Sequence, residues 1–279
     1  MPQNGSLLDR IIQLIDSGSL KLPVYDPVAL KLQEAIANKT EDILEIEQLI
    51  MSDQAAAAEV LRAANSPFFC GLSPVRTIRN AIVRLGTQQM RRLVILVSER
   101  AKYKAHHPDL HRMLIELWRH ASTTALASQW LSKRLRSTGI EEICFIGGLL
   151  HDIGKLIILR AVDEIRESDG DVSPIPRDIL DSILQTAHCG LGYRLLMSWN
   201  VPPIYCQIAR DHHSEDLSED LPLVIVRLAN EGSRKLGLGL DPNPSIILSQ
   251  TPEADRLKIG EKLLSELESM IEEHLIIAA

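Results

Sequence analysis

Aromatic residues and long apolar runs are scarce in this sequence of 279 residues. Phe, Trp and Tyr make up 4% of the chain, which leaves few rings on which nucleic-acid bases could stack. No apolar run approaches the ~18 residues of a membrane span. Residues 1–6 have neither the charged flank nor the apolar stretch of a secretory signal. We therefore expect a protein outside the membrane and the secretory route.

Paired cysteines and an excess of positive charge are also lacking. The four cysteines are far apart, with no Cys-x-x-Cys motif: Cys70, Cys144, Cys189 and Cys206. This spacing predicts reduced, mostly buried thiols and a cytoplasmic location. The 37 acidic and 30 basic residues give a net charge of −7, which argues against a general polyanion binder but leaves a local basic surface open.

Apolar residues recur every three or four positions through most of the chain, and no segment alternates convincingly with period two. The sequence therefore predicts an all-α fold. Asp26-Pro27 is typical of a helix start. Further helices are predicted over residues 55–64, between Pro74 and Gly86, and over 88–104, 109–136, 141–160, 177–199, 203–213, 221–236 and 255–275, with a loop at 168–176.

His106-His107-Pro108 interrupts the helical pattern and is the best candidate for a boundary. We predict an N-terminal helical subdomain of residues 1–105. It would pack against a C-terminal helical bundle of residues 106–279, which ends in an amphipathic helix.

Histidines flanked by apolar residues are the strongest chemical signal, and one of them precedes an aspartate: His120, His151-Asp152, His188, His212 and His213. Buried imidazoles and carboxylates need partners, and a shared cation satisfies several at once. Mutual hydrogen bonding of the rings in a metal-free core is the alternative. Four glycines would permit the close helix approach that short metal bonds need: Gly147, Gly148, Gly190 and Gly192.

At these residues the chain resembles the HD superfamily of metal-dependent phosphohydrolases, and within it the HDOD family of bacterial signalling proteins. The resemblance covers residues from about 20 to about 240 and implies an all-helical fold with an HD-like C-terminal bundle and a role in signal transduction. The N-terminal motifs that carry it are Leu22-Pro23, residues 50–53, residues 61–67, Ile78 with Ala81-Ile82, and Leu85-Gly86.

The resemblance also implies a site. His120, His151 and Asp152 match the first three HD positions, and Asn230 stands where the family has a final Asp. The related HD-GYP branch adds a second metal bound by three more histidines, matched here by His188, His212 and His213. Lys155 matches a lysine that faces phosphate. The Gly-Tyr-Pro segment of that branch is replaced by residues 214–216 (Ser-Glu-Asp), which argues against its mode of recognising cyclic dinucleotides.

Nitrogen-rich ligation suits iron, zinc, nickel or manganese better than magnesium. Our first hypothesis is a regulatory, non-catalytic module that retains a metal. The alternative is an active phosphohydrolase acting on a nucleotide or phosphate ester, with Asp152 and Lys155 as its catalytic residues. We expect signalling proteins or a small phosphorylated ligand as partners, and no membrane. The sequence leaves the oligomeric state open.

Two weaker signals have plainer explanations. Residues 76–104 carry eight basic side chains around a helix-Gly-helix pattern that superficially suggests a DNA-binding motif. Residues 93–97 are all apolar, which predicts a buried second helix, so a solvated basic face is favoured over nucleic-acid binding. Cys189 follows His188 directly, and adjacent helical side chains diverge, so we expect a small buried thiol rather than a nucleophile.

Overall fold

The computed structural model describes residues 6–17, 20, 47, 50–51, 54–65, 74–100, 102–137, 139–170, 173–216 and 219–275. Within these ranges the chain is helical and contains no strand, so the predicted all-α class is confirmed. The predicted helix start at Asp26-Pro27 lies outside the described residues. No helix in the described part of the chain is long and apolar enough to cross a membrane.

Packing divides the chain into two compact units, one of residues 22–103 and one of residues 1–21 with 104–278. The first contains helices α2 (Gln54–Ala64), α3 (Ile78–Leu85) and α4 (Thr87–Arg100). Leu93, Val94, Ile95 and Leu96 are buried, as the apolar run predicted. The domain boundary predicted at residues 105/106 stays a prediction, because packing does not measure independent folding.

Asn65, from the family motif, ends helix α2. Its side-chain amide donates to the Leu61 and Val75 carbonyl oxygens, both at 2.9 Å, and its oxygen accepts from the Val75 N–H at 2.8 Å. One side chain therefore ties the end of α2 to the segment that leads into α3.

The larger unit carries the predicted site. Its helices are α1 (Leu7–Asp16), α5 (Pro108–Arg134), α6 (Glu141–Leu150), α7 (Ile153–Asp169), α8 (Arg177–Ser198), α9 (Pro203–Asp211), α10 (Leu221–Lys235), a 3-10 turn (Leu248–Gln250), α11 (Pro252–Arg256) and α12 (Glu261–Leu275). Helix α5 packs along α6 and α10, while α8 packs against α7 and α9. Burial of these apolar faces is the main stabilising contribution.

Two predicted helices are each divided in the structure. The segment 141–160 breaks at His151-Asp152, where Asp152 adopts φ −100° and ψ 17°. The final segment breaks after α11, where Lys258 takes the left-handed conformation with φ 53°. Apolar residues continue across the first break, so periodicity gives no sign of it.

Glycines set the spacing of helices around the site. A Cβ on Gly148 would lie 2.8 Å from Ala125 Cα, and a Cβ on Gly154 would lie 1.9 Å from the His188 carbonyl oxygen. The close approach predicted at Gly147, Gly148 and Gly192 is confirmed. It is wrong for Gly190, where an added Cβ would meet nothing within 4 Å.

Asp163 joins α7 to the start of α5. Its buried carboxylate accepts the backbone N–H groups of His106 at 2.9 Å and His107 at 3.1 Å, and it contacts the His107 ring at 2.7 Å. Burial alone would raise the Asp163 pKa, but these bonds outweigh it and lower the pKa.

Candidate metal centre

The HD-like doublet lies in the turn between α6 and α7, and other helices bring histidines to it. His120 comes from the middle of α5, and His188 comes from α8. His212 caps the end of α9, with His213 beside it. All except His213 are buried. The structure thus brings together residues that are scattered over nearly a hundred positions of sequence.

Asp152 is the common point of two sets of ligand atoms. Its Oδ1 lies 3.5 Å from His188 Nε2 and 3.3 Å from His212 Nε2. With His213 these residues form the Oδ1 set, whose ligand atoms all lie within 4.8 Å of one another. Asp152 Oδ2 lies 3.6 Å from His120 Nε2 and 3.5 Å from His151 Nε2, and these three residues form the Oδ2 set.

Backbone carbonyls orient three of the rings. His151 Nδ1 lies 2.7 Å from the Gly148 oxygen, and His188 Nδ1 lies 2.6 Å from the Leu184 oxygen. His212 Nδ1 lies 3.1 Å from the Ala209 oxygen. A carbonyl only accepts, so each Nδ1 carries the proton, and each neutral ring directs the Nε2 lone pair inward.

Burial fixes the charge of the site. It lowers the pKa of His120 and of His213 to about 3, and it holds that of His212 well below its usual value. Burial would raise the pKa of Asp152, but the Lys155 ammonium favours the charged form and keeps this pKa well below its usual value. At neutral pH the site therefore combines neutral imidazoles with an ionised carboxylate.

These donors fit a transition-metal ion. Asp152 Oδ1 is buried and has no hydrogen-bond partner among the described residues. A carboxylate and several imidazole lone pairs that face one another need a cation between them. Nitrogen-rich donors favour iron, zinc, nickel or manganese over magnesium.

Asn230 and Lys155 lie on the Oδ2 side. Asn230 is buried on α10, beside the rings of His120 and His151. Lys155 Nζ donates to Asp152 Oδ2 at 2.8 Å.

A pocket of about 290 Å³ adjoins the site. It is lined by Lys155, Asp181, Leu184, Gln185, His188, Cys189, His213, Arg234, Leu240 and Asp241. Arg234 holds one wall, because its Nη2 donates to Asp241 Oδ2 at 2.9 Å and its Nε to the Asp241 carbonyl oxygen at 3.1 Å. Sequence reasoning missed Arg234, although it lies one helical turn after Asn230 on α10 and so shares its face.

Cys189 corrects an expectation. Its Sγ lies 3.2 Å from His188 Nε2, so the two adjacent side chains do not diverge, and the thiol is half-buried at the pocket wall. Burial and nearby Asp152 raise the Cys189 pKa to about 11, which keeps it protonated at neutral pH. Cys144 and Cys206 are buried, and all three are free thiols. Cys70 lies outside the described residues.

Comparison with known proteins gives the fold and the family. An HDOD-domain protein of unknown function from Geobacter sulfurreducens is 22% identical, with a TM-score of 0.75, over 97% of this chain and 96% of that one. A candidate metal-dependent phosphohydrolase from Shewanella amazonensis is 20% identical, with a TM-score of 0.69, over 96% and 98% of the two chains. At these identities the likeness shows the fold alone.

Sequence comparison extends to a longer relative and to a family. An uncharacterized protein of Treponema pallidum (strain Nichols) is 27% identical over 216 residues. The match spans 76% of this chain and 40% of the relative's length. Residues 22–215 match the HDOD domain, which is more than half of the chain. The chain belongs to the HDOD family.

Proposed function

We propose that this protein is a regulatory signal-transduction module of HDOD type, without catalysis, whose HD-like bundle holds a transition-metal ion. Family membership supports the signalling role, and a fold relative from Marinobacter aquaeolei is described as a candidate signal transduction protein. One observation carries the metal: the buried, unpartnered Asp152 Oδ1 faces the inward Nε2 atoms of His188 and His212.

In this role the protein recognises a ligand without turning it over. A bound ion would supply a Lewis-acidic coordination position beside the pocket. Lys155 and Arg234 present positive charge at the pocket wall, which favours a small phosphorylated ligand. Asn230 is neutral and cannot act as the anionic ligand or base of an HD hydrolase, which favours regulation over hydrolysis. We further propose signalling proteins as partners and a cytoplasmic location, the latter supported by the free thiols.

Elemental analysis of the purified protein tests the metal. We expect bound transition metal in the wild type and its loss in Asp152→Ala, because Asp152 supplies an oxygen to both sets. Asp181→Ala is the matched control, since that carboxylate lines the same pocket outside both sets. Equal metal content in wild type and Asp152→Ala would refute the proposed centre.

An active metal-dependent phosphohydrolase is the second candidate. It is favoured by the pocket, where Lys155 and His213 border one cavity next to Asp152. A screen of phosphate monoesters, diesters and nucleotides with manganese- and iron-loaded protein separates the two functions. Turnover that disappears in both Asp152→Ala and Lys155→Met would establish hydrolysis. If the protein is a regulatory module, the turnover of the wild type should not exceed that of the two variants.

A further inference from the structure

The two oxygens of Asp152 have different surroundings. Oδ2 accepts the hydrogen bond from Lys155 Nζ at 2.8 Å, so an ammonium group already balances its charge. Oδ1 is buried without a hydrogen-bond partner in the described part of the chain. Because like charges repel strongly where water is excluded, a second cation is disfavoured beside Oδ2 and favoured beside Oδ1.

The polar atoms that face the centre of the Oδ2 set satisfy one another. His151 donates its Nδ1 proton to Gly148, so its Nε2 can accept from His120 Nε2 at 3.2 Å. That proton position accounts for the bare His120 Nδ1. Asn230 is buried beside both rings and adds no negative charge.

The acceptor atoms of the Oδ1 set lack hydrogen-bond donors within the set. His188 and His212 both carry their protons on Nδ1, so their Nε2 lone pairs face each other at 3.3 Å and also face Asp152 Oδ1. The Cys189 thiol can donate to His188 Nε2, but it leaves His212 and Oδ1 without a proton between them. His213 adds a third ring, with its centroid 4.2 Å from that of His212.

We propose that this chain binds a single ion on the Oδ1 set, Asp152 with His188, His212 and His213. Lys155, aided by the neutral Asn230, excludes an ion from the Oδ2 set. This inference rests on the proposed metal centre and specifies which half of it is used. His120 and His151 then position the carboxylate instead of binding metal.

Cobalt(II) reconstitution of two matched histidine variants tests the assignment. The wild type and the variants His188→Asn and His120→Asn are stripped with chelator and reloaded. Bound metal per chain and cobalt absorption are then measured, with circular dichroism to confirm folding. We expect one ion in wild type. His188→Asn removes a ligand, so its affinity should fall at least about tenfold further than that of His120→Asn, which removes a ring that positions the carboxylate. An equal or larger loss in His120→Asn than in His188→Asn overturns the inference.

A gain of binding provides a second test. The double variant Lys155→Met/Asn230→Asp removes the ammonium and restores an anionic donor, so we expect it to bind two ions. If the double variant still binds a single ion, then Lys155 and Asn230 do not exclude an ion from the Oδ2 set, and this part of the inference is wrong. Two ions in wild type refute the single-ion inference but leave the metal centre intact. No ion in wild type refutes the centre itself.

Discussion

Replacing Gly154 by alanine should separate the two helices that meet at the site. The new Cβ would lie 1.9 Å from the His188 carbonyl oxygen and 2.6 Å from its carbonyl carbon. Both are backbone atoms, so rotation of a side chain cannot relieve the clash. Ordinary contact begins at 3.4 Å, which requires α7 and α8 to move apart by about 1.5 Å.

That movement affects stability and metal binding together. Overpacking costs about 1–3 kcal/mol, and a backbone clash belongs at the upper end, so we expect Tm to fall by ~6–12 °C. The shift carries His188 away from Asp152 by far more than the ~0.2 Å tolerance of metal–ligand bonds. Metal affinity should fall by about 10- to 100-fold.

Gly190 supplies the control for this experiment. It lies on α8, two residues after His188, and an added Cβ meets nothing within 4 Å. Gly190→Ala should raise stability by about 0.5–1 kcal/mol, because alanine favours helix more than glycine. Thermal unfolding and metal titration of both variants measure the changes in Tm and in metal affinity. A Gly154→Ala protein with wild-type Tm and metal affinity would refute the proposed helix spacing.

Three other predictions concern separate features. Asp163→Asn should cost ~1–3 kcal/mol in urea unfolding at pH 7. Because folding lowers the Asp163 pKa, its contribution is fully present above the unfolded value near 3.8 and is lost as pH falls through the lower folded value, so the gap between variant and wild type should narrow in acid. Gly239→Ala should lower the free energy of unfolding more than Gly237→Ala does. Both glycines have positive φ, but only a Cβ on Gly239 would contact the His120 ring, at 3.0 Å. Equal losses of stability in urea unfolding would refute this contact. Iodoacetamide should label Cys189 before the buried thiols Cys144 and Cys206. Labelling should be faster at pH 9 than at pH 7, because the Cys189 pKa of about 11 leaves little thiolate at neutral pH. Peptide mass spectrometry measures the order, and earlier labelling of Cys144 or Cys206 would contradict the prediction.

The hydrophobic periodicity predicts most of the described helices, and the histidine pattern predicts the residues of the candidate site. The Ala-rich run was predicted as residues 55–64 and forms α2, and the buried face of α4 follows from the apolar residues 93–96. Such features depend on local spacing, which the sequence displays directly. The family pattern likewise named the residues that converge on Asp152.

The remaining features depend on contacts between distant segments. Residues 153–160 continue the apolar pattern of α6, so the turn that directs His151 and Asp152 inward has no local signal. The pairing of Lys155 with Asp152 depends on that turn. The need for glycine at 154 arises from the backbone of His188, which no spacing rule reveals.

Helix α7 is held to α5 at two places. Asp152, just before α7 begins, lies beside His120, and Asp163 clasps residues 106–107, where α5 begins. The two aspartates are about 17 Å apart along the helix axis. Contacts this far apart oppose rotation of α7 against α5, because turning about one contact would displace the other. Distances between spectroscopic labels on α5 and α7 should therefore stay constant when the proposed ligand binds.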